Sequence, residues 1–368
     1  MVGIYKCELY DEKTLDNVIE KIFAELKIND KILAGMNVVL KPNLLAVRDE
    51  KTATTTHHLF VKCIAKKVIS LGAKCTICDS PPGKYTTKGL SRVYEKLGYA
   101  EVEKIGAILN LDTTSKLVNI NGKLIKNIEI ISPILNADLV INLPKLKTHA
   151  MMNLTCSVKN LFGIVPGERK AEIHSLYPDY NNFANAIIDI SSYVKNQITI
   201  VDAIDSMEGN GPNSGTPRHT GLVFASSNQF EIDYIVSKLI KLELEDAYTV
   251  KNSIERGILT NPSSIEIIGE KLEDIIIKDF KLPDTLIKIA FARVFNLTKY
   301  IKPYPTFDSK TCIRCKLCID RCPVNALKLI NNKVILKDKS KCIRCFCCSE
   351  HCPVHAVGIK HILTFKRK

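Results

Sequence analysis

Along the first three quarters of the chain, apolar residues fall into two alternating patterns. Short β-branched runs read as buried strands: VVLKPN (38–43), KCTICDS (74–80), LVINLPK (139–145), QITIVDAI (197–204) and LVFASS (222–227). Between them, HLFVKCIAKKVISLG (58–72) and GLSRVYEKLG (89–98) have helical spacing and close on Gly72 and Gly98. Strands alternating with helices in this way predict βαβ crossovers. The expected fold is α/β, a mainly parallel sheet with helices on both faces. Asn121-Gly122, between KLVNI and KLIKNIEI, predicts an antiparallel hairpin.

After Gly269 the pattern loosens. DTLIKIAFARVFNLTKYI reads as a helix that leads into the Pro-containing KPYPTF. The implied division is an α/β domain at 1–300, a linker at 301–306, a small cysteine-rich α+β domain at 307–359 and a frayed basic tail at 360–368.

The 368-residue length fits two domains, and an apolar share of 46% fits a sizeable core. No apolar run reaches the roughly 20 residues of a membrane helix, and MVGIYKCELYDEK lacks the features of a secretory signal. A cytoplasmic setting is expected, with no membrane partner. The net charge of +13 raises the question of nucleic acid, yet no nucleic-acid motif accompanies it and no Trp offers a stacking platform. The charge is better matched to an anionic small-molecule substrate or an acidic redox partner protein such as a free ferredoxin.

Nine of the fourteen cysteines lie between positions 312 and 352, in two matching blocks, TCIRCKLCIDRCPVNAL and KCIRCFCCSEHCPVHAV. Each block contains the C-x2-C-x2-C-x3-C-P run of two-cluster bacterial ferredoxins. Three close thiolates wrap one corner of a cubane, and the fourth reaches the other cluster. Two [4Fe–4S] clusters are therefore expected. Cys312, Cys315, Cys318 and Cys352 would hold one, and Cys342, Cys345, Cys348 and Cys322 the other. Cys347 is left over as a small apolar filler. Zinc also uses C-x2-C pairs, but the doubled pattern closed by Cys-Pro favours iron–sulfur. Arg314, Lys316, Arg321, Lys341 and Arg344 fall within the blocks, where positive charge favours the reduced cluster.

Polar segments follow several predicted strands: KPN (41–43), DSPPG (79–83), PKLKTH (144–149) and DAIDSMEGNGP (202–212). In open parallel sheets, ligands bind beyond the carboxyl ends of the strands. Lys41, Lys145, Lys147, His149 and Lys159 would line such a site with positive charge. Period-two alternation turns Lys145, Lys147 and His149 to one side. His57-His58 reads as a solvated helix start rather than a metal site. Cys75 and Cys78 read as two ordinary buried cysteines, because positions i and i+3 of a strand point apart. No G-x-G-x-x-G follows the first strand, so a dinucleotide site is not expected.

LKPNLL, ATTTHH, CDSPPG, NLPKLKTHAMMNLTCSVKNLFGIVPGERK and VDAIDSMEGNGPNSGTPRHTG resemble the proteins grouped as domain of unknown function 362, over about 41–235. Members often carry a C-terminal ferredoxin domain. The resemblance implies that Lys41, Asn43, Asp79, Lys145, Lys147, His149, Lys159, Asn160, Gly163, Asp202, Glu208 and Gly211 occupy family motif positions, and it assigns them no roles. The expected function is a reductase in which Lys41, Lys145 and Lys147 hold an anion and His149 or Lys159 supplies a proton. The alternative is a non-catalytic electron-transfer or assembly protein whose α/β domain docks a partner.

Overall fold

A computed structural model describes residues 1–286 and 301–363. The strands of the large domain are β1 (Val2–Lys6), β2 (Asn37–Pro42), β3 (Lys74–Ile77), β4 (Ile108–Leu109), β5 (Ser115–Asn119), β6 (Asn127–Ile131), β7 (Leu139–Leu143), β8 (Lys145–His149), β9 (Asn153–Thr155), β10 (Gln197–Glu208), β11 (Thr216–Ser226) and β12 (Ile267–Gly269). The central sheet runs β12-β1-β11-β10-β7-β2-β3-β4, with β8 pairing β10 and β9. Its β4-β3-β2-β7-β10 half is parallel throughout, while β11 runs antiparallel to both β1 and β10. The fold is the expected α/β arrangement.

Burial explains the sequence pattern. β7, LVINL, is buried at every position, as a central parallel strand covered on both faces must be. Its one polar side chain is satisfied: Asn142 Nδ2 donates to the Ser157 carbonyl at 3.0 Å and to Thr199 Oγ1 at 3.1 Å. The helix His58–Ser70 packs Phe60, Val61, Ile64 and Val68 inward, and the chain leaves it through Gly72 at φ +83°. The hairpin at Asn121-Gly122 is present as β5 and β6, in a separate two-stranded sheet.

The small domain contains β13 (Ile301–Phe307), β14 (Leu327–Ile330), β15 (Lys333–Leu336) and β16 (Val357–Leu363). The expected linker at 301–306 is therefore a strand, paired antiparallel with β16 from Phe307↔Val357 to Ile301↔Leu363. The first residues of the expected tail belong to that same ribbon. Pro303 and Pro305 stand two apart, so both missing N–H groups fall on one edge, where a two-stranded ribbon needs no donor. Of the helix expected over 284–301, residues 284–286 are helical, and 287–300 lie outside the described residues, as does 364–368. Among the described residues, no helix is long and apolar enough to cross a membrane.

Candidate functional site

The cysteines sort as their spacing predicts. Cys312, Cys315, Cys318 and Cys352 line one small cavity, and Cys322, Cys342, Cys345 and Cys348 line another. The fourth cysteine of each block thus crosses to the other set, and this donor arrangement fits two cubane clusters. The sets differ in depth. Cys315 is exposed, with Cys312 and Cys318 half-buried and Cys352 buried, whereas Cys345 and Cys348 are buried and Cys322 and Cys342 half-buried. We call the first set the outer quartet and the second the inner quartet.

The inner face of the small domain is part of the main hydrophobic core through Cys345, Phe346 and Cys347. Polar contacts fix its position. Arg48 donates to the Pro353 carbonyl at 2.6 Å, to the Cys352 carbonyl at 2.7 Å and to Asn213 Oδ1 at 3.0 Å. Asn213 Nδ2 in turn donates to the Glu350 carbonyl at 2.8 Å.

Between the two domains lies a cavity of about 90 Å³. The large domain lines it with residues from the ends of β2 and β3 and from the 155–174 stretch. The small domain adds Arg321, Cys347, Glu350 and His351. Cys347 sits between two inner-quartet cysteines, so the cavity and that quartet share a wall. Several buried polar atoms here have no hydrogen-bond partner: Ser80 Oγ, His174 Nδ1 and His351 Nε2. Buried polar groups are normally satisfied, and three orphans around one space mark a place for water or a ligand. His351 Nδ1 lies 2.8 Å from the Cys347 carbonyl, which fixes the proton there and leaves Nε2 as an acceptor.

Burial governs the electrostatics. Desolvation pushes Lys147 and Lys170 down to about 7 and lowers Lys159 as well. It holds His149 at about 4 and His174 at about 3. Burial opposes ionisation of Glu350, but His149, Lys159 and His174 outweigh it and keep the carboxylate below its ordinary range. His149 Nδ1 accepts from the Met151 and Met152 N–H groups at 3.1 and 3.2 Å, so its proton sits on Nε2, 3.0 Å from Glu350 Oε1 and off the line of a good hydrogen bond.

The predicted site residues divide into two groups. Asn43, Asp79, Lys147, Lys159 and Asn160 line the cavity. Lys147 donates to Asn43 Oδ1 at 3.0 Å and to the Thr54 carbonyl at 2.7 Å, and Asn160 bridges Asn142 and the Lys41 carbonyl. The others are placed elsewhere. Lys41 is fully buried in an ion pair with Asp79 at 2.7 Å, and Lys145 is paired with Asp202 at 2.9 Å and hydrogen-bonded to Tyr10. Neither lines the cavity, and each has its charge met by a carboxylate. Glu208 accepts from the Lys281 N–H at 3.1 Å, away from the cavity. His149 stands behind Glu350 instead of facing the open space.

Lys170, His174, Arg321, Glu350 and His351 were missed because packing alone brings them here. One signal was available. The internal repeat equates Arg321 with His351, and both reach the cavity.

The histidine pair also departs from expectation. His57 is mostly buried, stacked on Tyr10 with ring centres 4.0 Å apart, and caps its helix by accepting from the Leu59 N–H. Glu50, His57 and His58 lie close enough to share an ion. Because His57 Nδ1 is already an acceptor, however, Nε2 carries the proton and points it at Glu50, 3.2 Å away. Cys75 and Cys78 are buried free thiols, as expected, each pushed up to about 12 by desolvation.

An α/β domain with a fused cysteine-rich domain whose thiols form two crossed quartets defines an iron–sulfur protein. The comparisons agree. Residues 304–353 match the 4Fe-4S dicluster domain, and residues 38–238 match the domain of unknown function DUF362. The chain belongs to the DUF362 family and carries an iron–sulfur cluster-binding domain at its C-terminal side. A relative from Synechocystis, the thylakoid-associated protein sll1697, is 31% identical over 265 residues, 70% of this chain and 79% of that protein. Among solved structures, the lactate racemase apoprotein from Thermoanaerobacterium thermosaccharolyticum aligns at 16% identity with a TM-score of 0.38. That alignment covers 62% of this chain and 54% of the other, so the chain spans about half of that protein's length.

Proposed function

We propose that this protein is a ferredoxin-type reductase, with two [4Fe–4S] clusters and an anionic small molecule held in the cavity between its domains. The observation that carries the reading is the shared wall: Cys347, between inner-quartet ligands Cys345 and Cys348, also lines the cavity. When bound, the clusters supply electrons one at a time. The chain's own residues supply the rest. The cations lining the cavity favour an anion, and the surrounding domains restrict its exposure to water. Lys159, whose ammonium is destabilised by burial, is the proton donor in this reading. Electrons enter at the outer quartet, where Cys315, Arg314 and Lys316 are exposed, from an acidic electron-carrier protein in the cytoplasm.

The experiment is anaerobic. Reduced holoprotein is mixed with candidate anions while cluster absorbance is followed. Saturable oxidation by one anion class is expected, with at least a tenfold loss of rate in Lys159→Ala. Stable reduced clusters with every anion would instead favour a non-catalytic electron-transfer role.

A further inference from the structure

We propose that Arg321 and Lys159 form a two-domain clamp for the carboxylate of a small monocarboxylate that also carries a hydrogen-bonding substituent. The inference rests on the cavity being the ligand site of the reading above, and it names the ligand class.

Four cationic side chains line the cavity: Lys147, Lys159, Lys170 and Arg321. Two already donate to the protein, Lys147 to Asn43 and Thr54, and Lys170 to the Ser80 carbonyl. Lys159 and Arg321 make no side-chain hydrogen bond and no ion pair to any described residue. One comes from the large domain and the other from the residue before Cys322. A guanidinium is a planar fork of N–H donors that matches a carboxylate edge. Its place is shaped by the loop after β3: a Cβ on Gly83 would lie 2.8 Å from Arg321 Nη2. Glycine at this position, at φ +115°, lets the guanidinium pack against the backbone.

The remaining lining narrows the class. A phosphate dianion calls for more free donors than two, and the Glu350 carboxylate faces the same space and opposes a second negative charge. Ser80 Oγ, on a fully buried residue, and His174 Nδ1, on a residue 4% exposed, also lack partners. A bare acyl chain would leave both unsatisfied, which buried polar groups rarely are. A hydroxyl or carbonyl on the ligand would meet them. The cavity volume of about 90 Å³ limits the ligand to a few heavy atoms beyond its carboxylate.

The test is calorimetric titration of the anaerobic, full-length holoprotein with three probes: glycolate, its uncharged amide glycolamide, and inorganic phosphate. Glycolate should bind saturably, glycolamide should give no binding heat, and phosphate should bind at least tenfold more weakly than glycolate. Arg321→Gln and Lys159→Gln should each weaken glycolate at least tenfold, and Arg321→Lys should recover only part of the loss. Lys159 is remote in sequence from the cluster ligands, so its variant carries the test if Arg321→Gln fails to load iron. Equal binding of glycolate and glycolamide, tighter binding of phosphate, or unchanged affinity in Lys159→Gln overturns the clamp. The two readings fail separately. Glycolate bound as expected, with no anion oxidising reduced protein, removes the reductase and leaves the clamp. Anion-dependent oxidation that is lost in Lys159→Gln but survives in Arg321→Gln with unchanged glycolate affinity removes the clamp and leaves the reductase.

Discussion

His149 Nε2 stands 3.0 Å from Glu350 Oε1, and this contact ties the end of β8 to the helical turn Cys347–Glu350 that carries the inner-quartet Cys348. Truncating the imidazole leaves a buried carboxylate without the N–H that faces it. His149→Ala should therefore cost about 1–3 kcal/mol, the range for leaving a buried polar group without the partner it faces. Urea unfolding of holoprotein measures this, and a loss under about 0.5 kcal/mol would mean the contact does not hold the domains together.

Acid should destabilise the protein in a defined window. Burial holds His57 and His149 at about 4 and His174 at about 3, all below the 6.5 of an unperturbed imidazole. The unfolded chain then binds more protons than the native one between those values. The stability from neutral histidines is full above about pH 6.5 and is lost as pH falls toward 4. His174→Phe, which keeps the stack on Phe183, should lessen that acid loss. Urea midpoints at pH 7 and pH 5 decide the matter, and equal or higher stability at pH 5 contradicts it.

The Lys41–Asp79 pair is structural. Asp79→Ala leaves a fully buried ammonium without its counter-ion and should cost about 3–5 kcal/mol. Gly163→Ala attacks the same pair from the backbone side, because its Cβ would lie 2.2 Å from Asp79 Oδ1 and 2.5 Å from Lys41 Nζ. Both variants should lower thermal stability well beyond a surface control. A near-neutral Gly163→Ala would show that the pair can move aside.

Cys347 separates wall from ligand. Cys347→Ser should keep roughly eight iron per chain, while Cys345→Ser should lose much of one cluster. Iron and sulfide analysis after anaerobic reconstitution distinguishes them, and equal losses would break the assignment of the inner quartet.

Much of this was legible in the sequence. Buried parallel strands advertise themselves as apolar runs, and cubane geometry fixes cysteine spacing, so β2, β3, β7, β10 and both quartets could be read directly. The extended course of Lys145, Lys147 and His149 was also readable. Their partners were not. Asp202 lies on the neighbouring β10 in register with Lys145, and nothing local says that a strand-end lysine will meet a carboxylate there. From sequence Lys41 and Lys145 look like free cations, whereas in the fold each is neutralised. Proline at alternate positions likewise looks like a linker, although an edge ribbon accommodates it. The cavity itself is a product of domain docking and has no signature in either half alone.

The shared wall between the inner quartet and the cavity is tested most directly by iron anomalous scattering from anaerobic crystals of the full-length holoprotein. Two iron centres are expected. One should be enclosed by Cys312, Cys315, Cys318 and Cys352. The other should be enclosed by Cys322, Cys342, Cys345 and Cys348, with Cys347 between it and the space flanked by Lys159 and Arg321. A single iron centre, or an inner centre separated from that space by the body of either domain, contradicts the shared wall.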